Sequence, residues 1–132
     1  MTYALDASAV VAWLQGEPGG SIVAELLAES RHRFVIHEFN LCEVLYDGIR
    51  RVGEVRAEQA LSTIPAMGIE IVAPAGLWRA AARLKAKCKR VSLADCFALA
   101  TAQTLAATLL TTDRHELEPL AEAGVCSLRF LR

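Results

Sequence analysis

VSLADCFALATAQTLAATLLTTD, Val91 to Asp113, is the stretch on which the fold turns. From Val91 to Thr112 its only charge is Asp95, and it is long enough to suggest a membrane span. Yet it carries Ser92, Thr101, Gln103, Thr104, Thr108, Thr111 and Thr112, and it divides into a helix, Leu93–Leu105, and a short strand, Thr108–Thr111. It therefore reads as protein core, with no membrane involvement. The same alternation extends outward in both directions. Strands are expected at Thr2–Leu5, Phe34–Ile36 and Ile69–Val72, with Val125–Phe130 as a final edge strand. Helices are expected at Ala7–Gln15, Ser21–Glu29, Phe39–Arg51, Glu54–Pro65 and Ala75–Lys89. Short apolar strands alternating with helices predict an α/β fold over residues 1–132 as one domain, with a mostly parallel sheet covered on both faces. In such folds ligands sit beyond the carboxyl ends of the strands.

Composition narrows the classes. The 132 residues are 54% hydrophobic and 22% charged, which excludes a globally disordered chain. Fourteen basic against fifteen acidic side chains leave a net charge of −1, so no global field recruits a polyanion and any such site is local. The four cysteines form no CxxC pair, and the three histidines lack zinc-site spacing. The N-terminal MTYALDASAVV has no basic segment ahead of its apolar run, so a secretory signal is not expected. A cytoplasmic protein with reduced cysteines follows.

Four carboxylates stand in unusual places. Asp6 follows the first strand, and Asp113 follows the Thr108–Thr111 strand in the same way. Each alone reads as a helix N-cap, worth about 1 kcal/mol, and Asp113-x-x-Glu116 has the form of a capping box. Together, at the carboxyl ends of parallel strands, they are positioned to share one crevice. Asp95 lies in a helix that is apolar or small nearly all round, with no Lys or Arg between Val91 and Thr112 to pair with it. Ser92-x-x-Asp95 is also a capping box, but an ionised carboxylate in such surroundings needs a partner or becomes neutral. Glu43 lies opposite the Leu41, Leu45 and Val52 stripe of its helix; it is either solvated or aimed at the same crevice. Carboxylates so crowded repel by about 4 kcal/mol per close pair at an effective dielectric of 20. A hard divalent cation resolves that repulsion, and oxygen ligands without His or Cys point to Mg²⁺ or Mn²⁺ and to phosphodiester hydrolysis. A second feature supports a phosphate partner. From Ile71 to Ala94 no acidic residue occurs, while Arg79, Arg83, Lys85, Lys87, Lys89 and Arg90 supply six positive charges. They form either a solvated helix face or a patch that tracks a nucleic-acid backbone.

Tyr3-Ala-Leu-Asp-Ala-Ser-Ala-Val-Val-Ala-Trp-Leu14, Leu41-Cys-Glu-Val-Leu45, Val91–Ala102 and Leu109-Leu-Thr-Thr-Asp113 together resemble the PIN domain. The likeness is greatest to the VapC-type toxins of toxin–antitoxin pairs, and it covers essentially the whole chain. It implies a three-layer α/β/α sandwich, with Asp6, Glu43, Asp95 and Asp113 as an acidic quartet for one or two Mg²⁺ or Mn²⁺ ions. Ser8 and Thr111 match the family's hydroxyl positions near the metal. It further implies an endoribonuclease acting on single-stranded or loop RNA, which forms a homodimer and is silenced by a small antitoxin protein; in-line attack on phosphorus by a metal-activated hydroxide would leave a 5′-phosphate and a 3′-hydroxyl. Three other readings fit less well. A haloacid-dehalogenase-like phosphatase wants a second Asp where Ser8 stands. A receiver domain wants an acidic pair beside Asp6. A PIN fold kept only to bind RNA or protein has no use for the intact quartet.

Overall fold

The computed structural model describes residues 1–132. Five strands, β1 (Thr2–Leu5), β2 (Arg33–His37), β3 (Ile69–Val72), β4 (Thr108–Thr111) and β5 (Leu128–Phe130), form one sheet in the order β3-β2-β1-β4-β5. Every neighbouring pair is parallel, so the sheet is wholly rather than mostly parallel. Seven helices surround it: α1 (Ala7–Gln15), α2 (Gly20–Leu27), α3 (Glu38–Val52), α4 (Glu54–Ala66), α5 (Leu77–Lys87), α6 (Leu93–Thr104) and α7 (Arg114–Glu122).

The two-residue period of the strands creates the layers. Tyr3, Leu5, Phe34, Ile36, Ile69 and Leu110 turn to one face and bury against Val10, Val23, Val44 and Ile64 of α1 to α4. Ala4, Val35 and Leu109 turn to the other and meet Ala81, Leu99 and Leu117 of α5 to α7. The result is the expected three-layer sandwich. The window from Val91 to Thr112 is α6 and β4, core on several sides, and no helix is long and apolar enough to cross a membrane.

Some boundaries differ from those expected. The fifth helix starts at Leu77 rather than Ala75 because Gly76 takes a left-handed φ of 77°. It stops at Lys87, short of Lys89. The last strand pairs only over Leu128–Phe130. Between it and β4 the capping box at Asp113 opens α7, a full helix absent from the expected elements.

β1 sits at the centre. From it the chain steps outward through β2 to β3, then crosses back to lay β4 and β5 on the other side. The winding therefore reverses between β1 and β4: α1 leaves β1 on one face, while α7 leaves β4 on the other. At such a switch point the two exits diverge and open a crevice. Beside it, α1 and α2 pack so tightly that a Cβ on Gly20 would collide with the Ala12 carbonyl. The Glu17–Gly19 turn between them thereby brings Glu17 to the crevice.

Candidate metal centre

Asp6 leaves β1 and caps α1. Its Oδ1 accepts the Ala9 amide at 2.9 Å and the Ser8 hydroxyl at 2.6 Å. The residue is 1% exposed, and Oδ2 is buried without any partner. Burial raises its pKa above the usual carboxylate value, aided by the Asp113 charge and opposed by the Ser8 and Thr111 hydroxyls and the Ala9 amide. Asp113 caps α7, its Oδ1 accepting the Glu116 amide at 3.2 Å, while its own amide donates to Thr111 Oγ1 at 3.0 Å. Ser8 Oγ accepts the Thr112 amide at 3.0 Å and lies 3.4 Å from Thr111 Oγ1. The two hydroxyls thus tie the exit of β1 to the exit of β4. For Asp6 and Asp113 the cap and the crevice are not competing descriptions. One oxygen of each caps a helix and the other remains available.

Asp95 behaves differently. Ser92 Oγ accepts its amide at 3.1 Å, but the reciprocal arm of the capping box is missing, because the Ser92 amide donates to Glu116 Oε2 at 3.4 Å instead. The Asp95 carboxyl is left to the site. It is 8% exposed, and its pKa is pushed up to about 9 by burial first, then by the Asp6 charge and by the neighbouring Glu116 and Asp113 carboxyls. Carboxylate oxygens of Asp95, Asp113 and Glu116 lie within 4.8 Å of one another. Glu116 was hidden in the sequence as the closing residue of a capping box, an arm that it does not make. Glu43, half-buried in α3, carries a pKa raised by burial and then by the Asp6 and Asp47 charges.

These side chains face a pocket of about 330 Å³ at the switch point. Glu17, Glu43, Asp47, Asp95, Asp113 and Glu116 line it; Asp6, 1% exposed, is not among the lining residues, although its neighbours Ala7 and Ser8 are. At 4.8 Å and an effective dielectric of 20, two like charges cost roughly 3 kcal/mol. The N-termini of α1, α6 and α7 offset part of this with their positive dipole ends. The rest calls for a cation. An unpartnered Asp6 oxygen, an Asp95 carboxyl set against the Asp113 and Glu116 carboxyls and a wall without His or Cys fit a hard, oxygen-seeking divalent ion.

The six bases of the α5 region are elsewhere. None of Arg79, Arg83, Lys85, Lys87, Lys89 and Arg90 lines the pocket. Lys85 is half-buried, and its ammonium donates to the carbonyls of Lys89 at 2.9 Å and Val91 at 2.7 Å, holding the α5–α6 turn. Arg79 stacks 4.4 Å above the Trp78 ring. The others are exposed. The pocket's own bases are Arg51 and Arg132. Arg51 was legible as the third residue of Glu43, Asp47, Arg51, a four-residue repeat along one face of α3.

Fold and site together define a class: a parallel α/β domain with a carboxylate-walled crevice at its switch point. Residues 3–122 match the PIN domain family, and the chain belongs to it. No curated protein matches the sequence. Among solved structures, VapBC from Salmonella typhimurium bound to DNA is similar at a TM-score of 0.78 and 14% identity, over 100% of this chain and 99% of that one. VapBC-1 from nontypeable Haemophilus influenzae gives 0.76 and 16%, over 99% and 98%. VapBC-5 from Mycobacterium tuberculosis, of the VapBC family of toxin–antitoxin systems, gives 0.64 and 21%, over 98% of each chain.

Proposed function

We propose that this PIN domain is a divalent-metal-dependent endoribonuclease of the cytoplasm and the toxin of a VapC-type pair. The observation that carries the reading is the group formed by Asp95, Asp113 and Glu116, with oxygens within 4.8 Å, beside a buried Asp6 whose Oδ2 has no partner. In the proposal Asp6, Asp95, Asp113 and Glu116 hold Mg²⁺ or Mn²⁺. When bound, the ion supplies Lewis acidity to the phosphate and acidifies water at neutral pH. Ser8 and Thr111 orient Asp6 and Asp113. Glu43, with its raised pKa, accepts at its carboxylate a proton from the attacking water. The Leu5–Asp6 and Thr111–Asp113 exits fix the two sides of the crevice, so the scissile phosphate is presented to preset oxygens.

Support for a protein partner comes from an apolar groove of about 250 Å³ between α1, α3 and α4, lined by Val11, Leu14, Val44, Val52, Ala57 and Leu61. It adjoins the acidic pocket, sharing Val11 and Asp47. A small antitoxin seated there reaches the site. Exposed Phe39, Tyr46, Trp78 and Leu93 supply apolar surface for a second copy of the chain. The decisive experiment is cleavage of single-stranded RNA with Mg²⁺ or Mn²⁺ and in excess EDTA. Metal-dependent cutting is expected, and undiminished activity in EDTA refutes the metal mechanism. Sedimentation as a monomer at tens of micromolar refutes the dimer.

A further inference from the structure

Arg51 and Arg132 are the only basic residues on a pocket that carries six carboxylates, and neither guanidinium has a paired bond to one of them; Arg132 Nη1 donates instead to the Pro18 carbonyl at 3.1 Å. Arg51 Nη1 lies 3.3 Å from Gln15 Oε1 and 3.6 Å from Glu17 Oε2, and its Nε lies 3.1 Å from Asp47 Oδ2. That Asp47 oxygen is buried yet makes no hydrogen bond, so the contact is a misaligned charge pair. A guanidinium fork prefers two parallel bonds to one carboxylate or phosphate, and here it has three imperfect partners. Glu17 meanwhile spans both arginines, Oε2 towards Arg51 and Oε1 at 4.0 Å from Arg132 Nη1. One carboxylate shared by two guanidiniums is the arrangement that the two free oxygens of a phosphodiester would take.

Resting on the nuclease reading, we propose that Arg51 and Arg132 bind a backbone phosphate of single-stranded RNA adjacent to the phosphate being cut. Glu17 occupies their place in the free protein and is displaced by the RNA. The contact reads charge and the O–P–O fork rather than base identity, so it is independent of sequence. It also gives the acidic wall a signed role. Glu17 competes with substrate, whereas the carboxylates deeper in the pocket hold the cation.

The test measures anisotropy of a fluorescein-labelled single-stranded RNA across a salt series, with Ca²⁺ replacing Mg²⁺ and the RNA checked on a gel for integrity. Arg51→Gln is expected to weaken binding roughly fivefold at low salt and to flatten the log–log salt slope by about 0.7, the value for one phosphate contact on a single strand. Arg51→Lys keeps the slope. Glu17→Gln tightens binding in the wild-type background and does nothing in Arg51→Gln/Arg132→Gln. All three positions are partly exposed at the pocket rim, and unchanged melting temperatures would confirm that the fold is intact. Wild-type slope and affinity in Arg51→Gln overturn the proposal. So does tightening by Glu17→Gln that survives loss of both arginines, since that is a general charge effect. If the unaltered protein neither binds nor cuts RNA, the nuclease reading itself falls and takes this one with it.

Discussion

Replacing Asp95 by Asn is expected to abolish RNA cleavage while making the metal-free protein more stable. The Asp95 carboxyl makes no bond that caps its helix, and its pKa is pushed up to about 9 from an unfolded value of 3.8, burial being the larger cause and the Asp6 charge the next. At pH 7 the native carboxyl therefore stays protonated, against roughly three pH units of preference for ionisation in the unfolded chain. At 1.36 kcal/mol per unit this opposes folding by about 4 kcal/mol. Asn carries no such cost. In EDTA at pH 7 the variant should gain up to that amount, a rise in Tm on the order of 10 °C for a domain of this size. The sign over pH is fixed by the raised value. Below about pH 4 both states are protonated and the advantage vanishes; it grows through neutrality and levels off above about pH 9. Thermal unfolding in EDTA at a series of pH values, with cleavage in Mg²⁺ on the same preparation, measures both halves. Equal or lower stability across the series, or cleavage that survives, refutes the assignment of Asp95 to a buried metal site.

Metal binding near pH 7 should release about one proton as Asp95 ionises, and affinity should climb as pH rises towards 9; calorimetric heats that do not vary with buffer ionisation enthalpy would count against this. Ser8→Ala removes the 2.6 Å donor to Asp6 and the acceptor for the Thr112 amide, so urea unfolding should show a loss of about 1–3 kcal/mol together with weaker metal retention. Lys85→Met leaves the carbonyls of Lys89 and Val91 without their cation and should cost about 1–2 kcal/mol while leaving RNA binding at its wild-type salt slope. Charge reversal of exposed Lys87 and Lys89 should instead weaken binding; an unchanged slope there would make the α5 bases a solvated face.

Much of this was legible because its causes are local. A strand followed within two residues by Asp, twice, reports its own position in an α/β fold, and a helix with no polar face reports its own burial. The strand order was not legible. The inward residues of β1 and β4 obey the same period, and nothing in Tyr3-Ala-Leu5 or Leu109-Leu110 says that the two are neighbours. Glu116 was missed because Asp113-x-x-Glu116 already had a sufficient local explanation. Only the folded chain shows Glu116 turned away to the Ser92 amide. The six bases from Arg79 to Arg90 were conspicuous in sequence, but that none of them lines the pocket depends on how α5 packs against α6, which no window of residues contains.

Asp6 and Asp113 each start a helix with one oxygen, whereas Asp95 starts none, so its buried carboxyl has no cap to set against its cost to the folded state. The acidic residues are therefore under unequal obligations. If the metal-binding role lapsed, positions 6 and 113 would still need a capping Asp, Asn or Ser, while position 95 would be free to take any neutral side chain. Carboxylates at the strand ends are thus poor witnesses to activity in this fold, and position 95 is a good one. A collection of inactive relatives that had lost position 6 before position 95 would contradict that ordering.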